Sequence, residues 1–268
     1  MSVEHILAVY AEQTEQIAAL LRQMSPSGTH KTCENGVQWF ADGKIAAFFH
    51  PLSENSMKWY AEDYDVRVNH AVSFQYFSES AVNAPENILR VIQRVVSAWN
   101  CDLMFLPNGD HPVLIRRSGV LTAAAEFDSR FGRGAGEMLR TENRMQITPD
   151  MTMDEIMTRC EEKFGDRFNW FALPAEKRQE FFVPELKTEL GADDSFFANP
   201  VYAVWKCEAN DDLLFVSDGG GHALWRIYHL TYSHCREAEG FPRRWDFGSG
   251  FEAAQYIINQ YIEENTYF

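Results

Sequence analysis

The side chains best able to do chemistry lie in the C-terminal half: His222, His229, His234 and Cys235, with Cys207 on a nearby apolar run. Zinc requires ligands that converge on one point. His222 and His229 stand about 23 Å apart on an extended strand, and the adjacent His234 and Cys235 would point to opposite faces, so the spacing does not predict a metal site. Nucleophilic catalysis needs a Cys or Ser beside a His and an orienting acid. There is no GxSxG elbow, and Cys101, Cys160 and Cys207 fall where a small buried hydrophobe is the common role. The adjacent carboxylates Asp193-Asp194 and Asp211-Asp212 sit at turn positions and read as solvated.

Two glycine clusters could cradle an anion. In LLFVSDGGGHALWRIYHLTYSH, residues 213 to 234, the glycines are followed by a strand pattern. A phosphate loop needs a helix there to supply N-terminal amides, so these glycines are expected only to turn the chain. The second cluster, FGRGAGEMLR, precedes a helix turn within a run of Arg116, Arg117, Arg130, Arg133, Arg140 and Arg144. Arg130, Arg133 and Arg140 could hold an anion at that helix N-terminus. No Rossmann-type strand leads into the loop, and Glu126, Asp128, Glu137 and Glu142 offset the charge, so internal ion pairs are the first expectation.

The elements that must position these groups follow from periodicity and breakers. Residues 3 to 24 read as one helix, stopped by Ser25-Pro-Ser-Gly; its acidic residues and helical spacing separate it from an export signal. VQWFADGKIAAFFHP reads as a hairpin turning at Asp42-Gly43, and HAVSFQYFS as a further strand. Pro85 opens a helix through Trp99 with Ile88, Val91, Ile92, Val95 and Val96 on one face. DLMFLPNGDHPVLIRR gives a hairpin about Asn108-Gly109, and a broken helical region runs from Leu121 to Arg144. After ITPD come a helix to Phe164 and a second from Pro174 to Leu190, kinked or split at Pro184. Three antiparallel strands over 201–233, a strand at RRWDFG and the helix FEAAQYIINQYIEE close the chain. The stretch ALWRIYHLTYS is apolar on both faces and predicts a strand covered on both sides.

These elements predict an α+β fold: antiparallel β-meander sheets with helices packed on one face. A boundary at ITPDMTMDEIM gives an N-terminal unit over 1–147 and a C-terminal unit over 148–268, with one compact domain as the alternative; NCDLMFLPNGDH and NDDLLFVSDGGGH share an ordered set of residues, as two similar halves or two hairpins of shared turn grammar would. The 268 residues suffice for a core without metal or disulfide. Five widely spaced cysteines without a CxxC pair read as reduced thiols of a cytoplasmic protein. No stretch is apolar enough to span a bilayer. A net charge of −15 disfavours general nucleic-acid binding and would draw in a cationic partner.

Over VYAVWKCEANDDLLFVSDGGGHALWRIYHLTYS and RRWDFGSGFEAAQYIINQYIEE the chain resembles the immunity proteins encoded beside bacterial polymorphic or contact-delivered toxins. The likeness is one of style, acidic and aromatic-rich α+β without a catalytic motif, and covers about the last seventy residues. It implies tight, stoichiometric binding of a cognate toxin domain; independently of the family, the acidic charge points to a basic partner, and the residues call for no cofactor and no metal. Asp211, Asp212 and Asp218 would then steer the partner, while Trp225, Arg226 and Tyr228 would anchor it. Two readings stand beside it: a small hydrolase or nucleotide-processing enzyme using the arginine-rich stretch with His111 or His229, and an adaptor that dimerises through a sheet edge.

Overall fold

The computed structural model describes the chain apart from residues 1, 13, 25–27, 34–36, 42–44, 78–83, 175–177, 220–222 and 267–268. The expected breaker at 25–27, the Asp42-Gly43 turn, and Gly220, Gly221 and His222 therefore lie outside the described residues. Two compact units are formed, one by Met1–Met145 with Asn265–Phe268 and the other by Gln146–Glu264. Each holds its own antiparallel sheet, and the described residues form thirteen strands and eight α-helices, so the α+β class is observed. Among the described residues no helix is long and apolar enough to cross a membrane.

In the N-terminal unit, β1 (Ser2–Val9) is the interior strand of an eight-stranded sheet. On one side of it run β5 (His70–Phe77), β4 (Ala46–Pro51), β3 (Gln38–Ala41) and β2 (Thr29–Thr32); on the other run β6 (Leu103–Pro107), β7 (Leu114–Arg117) and β8 (Val120–Ala123). The helix expected over 3 to 24 is thus corrected: only α1 (Thr14–Met24) is helical. The reason lies in burial. Leu7, Ala8 and Val9 are all fully buried because β1 is covered on both faces, and such a strand shows a continuous apolar run instead of alternation.

Four more helices serve this unit: α2 (Glu54–Tyr64), α3 (Ala84–Ala98), α4 (Ala125–Phe131) and α5 (Ala135–Asn143). Leu7, Val9, Phe74 and Phe105 pack with Ile88, Ile92, Val95, Phe127 and Leu139, while Ala8, Met104 and Leu106 pack on the opposite side with Tyr60 of α2. Helices therefore cover both faces, where one face was expected. Asn108 and Gly109, at φ 58° and 71°, make the expected left-handed bend after β6. Arg116 is fully buried and donates to the carbonyls of Cys101 (2.6 Å) and Val96 (2.9 Å) and to Asn143 Oδ1 (3.2 Å). Its charge closes the C-terminal end of α3, where a cation is favoured.

The C-terminal unit begins with α6 (Met153–Phe164), β9 (Trp170–Ala172), a π-helical turn at Arg178–Phe182 and α7 (Val183–Leu190). Pro184 sits at the first turn of α7, so the expected split falls where the missing amide costs no helical hydrogen bond. Strands β10 (Val201–Cys207), β11 (Asp212–Asp218), β12 (Ala223–His229) and β13 (Arg243–Phe247) follow, then α8 (Gly250–Glu264). The sheet order β13-β12-β11-β10-β9 is a plain meander. The two sheets differ in strand number and order, so the likeness between the two hairpins does not extend to their units.

Leu213, Phe215 and Tyr228 pack with Phe182, Leu186 and Phe196 on one face. On the other, Tyr256 of α8 lies against Trp245 and Phe247 of β13. Ile227 and Tyr228 are both fully buried, as a strand covered on both sides requires.

Candidate binding cleft of the C-terminal unit

The residues expected to anchor a partner divide between core and surface. Tyr228 is fully buried, and its hydroxyl accepts from Arg226 Nη1 at 3.2 Å; burial raises its pKa. Arg226 reaches Asp246 on β13 at 2.5 Å and lies 4.6 Å over the Phe196 ring. Both therefore serve the interior of the sheet: they alternate with Trp225 and Ile227, and the alternation alone does not say which face a helix covers. Trp225 remains half-buried.

The three aspartates also separate. Asp211 and Asp218 are exposed, and Asp211 lies 3.7 Å from Lys206. Asp212 is buried and faces its cross-strand neighbour His229, with Oδ1 at 2.8 Å from Nδ1. Asn210 fixes that carboxylate from its other side through Nδ2, at 3.0 Å. An imidazole oriented by a buried carboxylate is one component of a general base. The same pairing leaves His234 elsewhere, 2.9 Å from Glu185 of α7. The two histidines thus serve different carboxylates, and among the described residues no group of three or more His, Cys, Asp or Glu side chains could hold a metal ion. Burial pushes the Cys160 thiol up to about 12 and raises that of Cys207.

The arginine-rich loop has its own internal anion. Gly134 N and Gly136 N each donate to the Asp128 carboxylate at 2.8 Å, and these two amides hold its pKa below the usual carboxylate value. The amides that would receive a phosphate are thus occupied from within. Arg130 and Arg133 are exposed around this turn, and Arg140 bonds to Glu137 at 2.9 Å.

What the sequence reading missed is a cleft of about 410 Å³ against one face of the five-stranded sheet. Its floor is Val204 and Trp205 of β10 and Trp225 of β12; its walls are the starts of α6 (Met151, Asp154) and α8 (Ser249, Phe251). A bulge between Ala203 and Trp205 resets the register of β10 beside it. Gly250 packs against the Trp225 ring, where an added Cβ would lie 3.1 Å from Cζ2. Trp205 Nε1 donates to Asp154 Oδ1 at 3.4 Å.

Both helices at the cleft are capped by their own side chains. Thr152 Oγ1 accepts from Glu155 N while Glu155 Oε2 accepts from Thr152 N at 2.8 Å, a capping box; Ser249 Oγ likewise accepts from Glu252 N, but Glu252 Oε2 accepts from Gly248 N, one residue before the cap, at 2.8 Å. The patterns T-x-x-E at 152–155 and S-x-x-E at 249–252 mark these two helix starts in the sequence.

Comparison with protein-family models, curated proteins and solved structures gives no match.

Proposed function

We propose that the chain is a protein-binding protein whose C-terminal unit receives a basic partner, in the manner of an immunity protein that neutralises a toxin domain one to one. The observation carrying this reading is where the charge lies. Residues 146–264 hold 22 Asp and Glu against 11 Lys and Arg, so this unit supplies −11 of the −15. The same unit exposes Phe181, Tyr202, Leu224 and Phe241. An acidic surface raises the rate of encounter with a basic protein, and exposed aromatic and aliphatic groups supply the contact that slows its departure.

The test is purification from native cells followed by native mass spectrometry, and then the association rate of the recovered pair as salt is raised. One basic protein at equimolar stoichiometry, associating more slowly at higher salt, is expected. Recovery of the chain alone at every ionic strength would sink the proposal.

A second reading rests on the Asp212–His229 pair. A hydrolytic activity that vanished in His229→Asn while the fold persisted would favour it.

A further inference from the structure

We infer that the cleft between β10, β12 and the starts of α6 and α8 receives a single cationic side chain, a guanidinium or alkylammonium group carried by the partner; this rests on the protein-binding reading above. Its size, about 410 Å³, falls within the range of pockets that enclose a small ligand group. Its aromatic lining is Trp205 and Trp225 of the floor and Phe251 of the α8 wall, with Met151 and Val204 among the apolar side chains. Aromatic rings carry negative faces and attract cations, most strongly for Trp and where water is thin. Trp205 is 4% exposed and is packed almost wholly within the unit, so the half-buried Trp225 and Phe251 supply most of the aromatic surface that a cation would meet.

The sign of the expected charge needs an argument, because two helix N-termini meet at the cleft and such ends favour anions. Each is worth roughly half a positive charge. Here one amide of each helix start, Glu155 N or Glu252 N, is held by the hydroxyl of Thr152 or Ser249, and the carboxylates of Glu155 and Glu252 place a full negative charge at each end, which more than offsets the half charge of the helix. Asp154 then stands in the lining as surplus negative charge, and no Lys, Arg or His lines the cleft. The indole N–H of Trp205 meets Asp154 through Oδ1. An ammonium or guanidinium seated there would meet a carboxylate and aromatic walls together, and a charge-assisted hydrogen bond to Asp154 would fix its position. An anion would meet Asp154 as repulsion.

The full chain is titrated with N-acetyl-argininamide and, as a neutral control of the same shape, N-acetyl-citrullinamide, following the indole N–H signals by NMR. Saturable shifts confined to Trp205 and Trp225 are expected with the arginine compound and not with the citrulline compound. Asp154→Asn, an isosteric change at an exposed helix start, is expected to weaken the arginine titration about tenfold or more. Trp225→Ala is expected to abolish it, with the remaining indole signals reporting that the fold persists.

Equal shifts with citrulline, shifts spread over all the tryptophans, or an unchanged titration in Asp154→Asn would overturn the assignment. A second arm measures the partner itself: Asp154→Asn should reduce its affinity about tenfold. If the partner binds the variant as tightly as the wild type while the arginine titration holds, the cleft serves a free cation and the side-chain occupant is refuted. Failure of the protein-binding reading looks different: wild type retains no partner although the titration still saturates.

Discussion

Replacing Glu189 by alanine tests what holds the loop that follows β12. Glu189 is fully buried, and its carboxylate accepts from Thr231 N at 3.0 and 3.1 Å and from Tyr232 N at 2.7 Å. One helical turn earlier, Glu185 accepts from His234 N at 3.2 Å and pairs with its ring. The loop needs this hold, because Tyr232 and His234 take φ of 51° and 54°, a conformation costing roughly 1–3 kcal/mol for each non-glycine residue. Alanine leaves two amides without their acceptor, at about 1–3 kcal/mol each. Relief of the buried charge and entry of water offset part of that, so a loss of about 3 kcal/mol is expected in the unfolding of the C-terminal unit.

Burial raises the Glu189 pKa and outweighs the amide hydrogen bonds that lower it. Its stability contribution is therefore present below the ordinary carboxylate pKa and lost as pH rises through the raised folded value. Glu189→Gln cannot titrate, so its deficit against wild type should be widest in acid and narrow toward neutral pH. Denaturant unfolding read beside hydrogen exchange at Thr231 and Tyr232 measures both effects. An alanine variant within about 0.5 kcal/mol of wild type, with those amides still protected, would refute the reasoning, since surface changes alone fall in that range.

Two further outcomes are expected in the N-terminal unit. His5 is buried in β1; Asn108 N donates to its Nδ1 at 3.2 Å, so Nε2 carries the proton toward Tyr76 Oη at 3.1 Å. Burial, helped by the Arg130 charge, lowers its pKa to about 4. Its contribution is then complete above about pH 6.5 and is lost as pH falls toward 4, by up to about 3 kcal/mol. Urea midpoints of wild type and His5→Gln measured across that window should show a flatter slope in the variant, and equal slopes would contradict the assignment. Gly136→Ala would place a Cβ 2.8 Å from Ala123 Cβ and 3.2 Å from Asp128 Oδ1, an overpacking expected to cost about 1–3 kcal/mol. Ala123→Gly in the same chain should recover part of that loss in thermal unfolding; no recovery would place the strain elsewhere.

Most elements were legible because their signals are local. The apolar face of α3 and the strand pattern of β10 to β13 each depend on residues within one element, and the structure places them as read. β1 was not legible, since burial on both faces removes the alternation that marks a strand. α2 was missed because it buries only Tyr60 and so shows little amphipathic pattern. The cleft was illegible for another reason: Met151, Trp205, Trp225 and Phe251 come from separate parts of the chain, and only the sheet register together with the packing of α6 and α8 brings them together. Tyr228 and Trp225 show the same limit, since alternation separates faces without saying what lies on either.

The chemistry that satisfies this unit's carboxylates also bears on its long-range field. Glu155 and Glu252 hold backbone amides at helix starts, Glu189 holds the amides of a loop, and Asp194 holds Phe196 N at 2.8 Å. An amide stabilises a carboxylate without cancelling its charge, whereas Asp246 with Arg226 and Asp211 with Lys206 are neutralised by their neighbours. Carboxylates used to build the fold therefore remain sources of negative potential, within a screening length of about 8 Å at physiological salt. The field that would guide a basic partner includes these structural carboxylates beside the exposed Asp218. Glu155, Glu252, Glu189 and Asp194 thus serve the fold and, as charges left without a cationic partner, add to the excess of acid over base in residues 146–264.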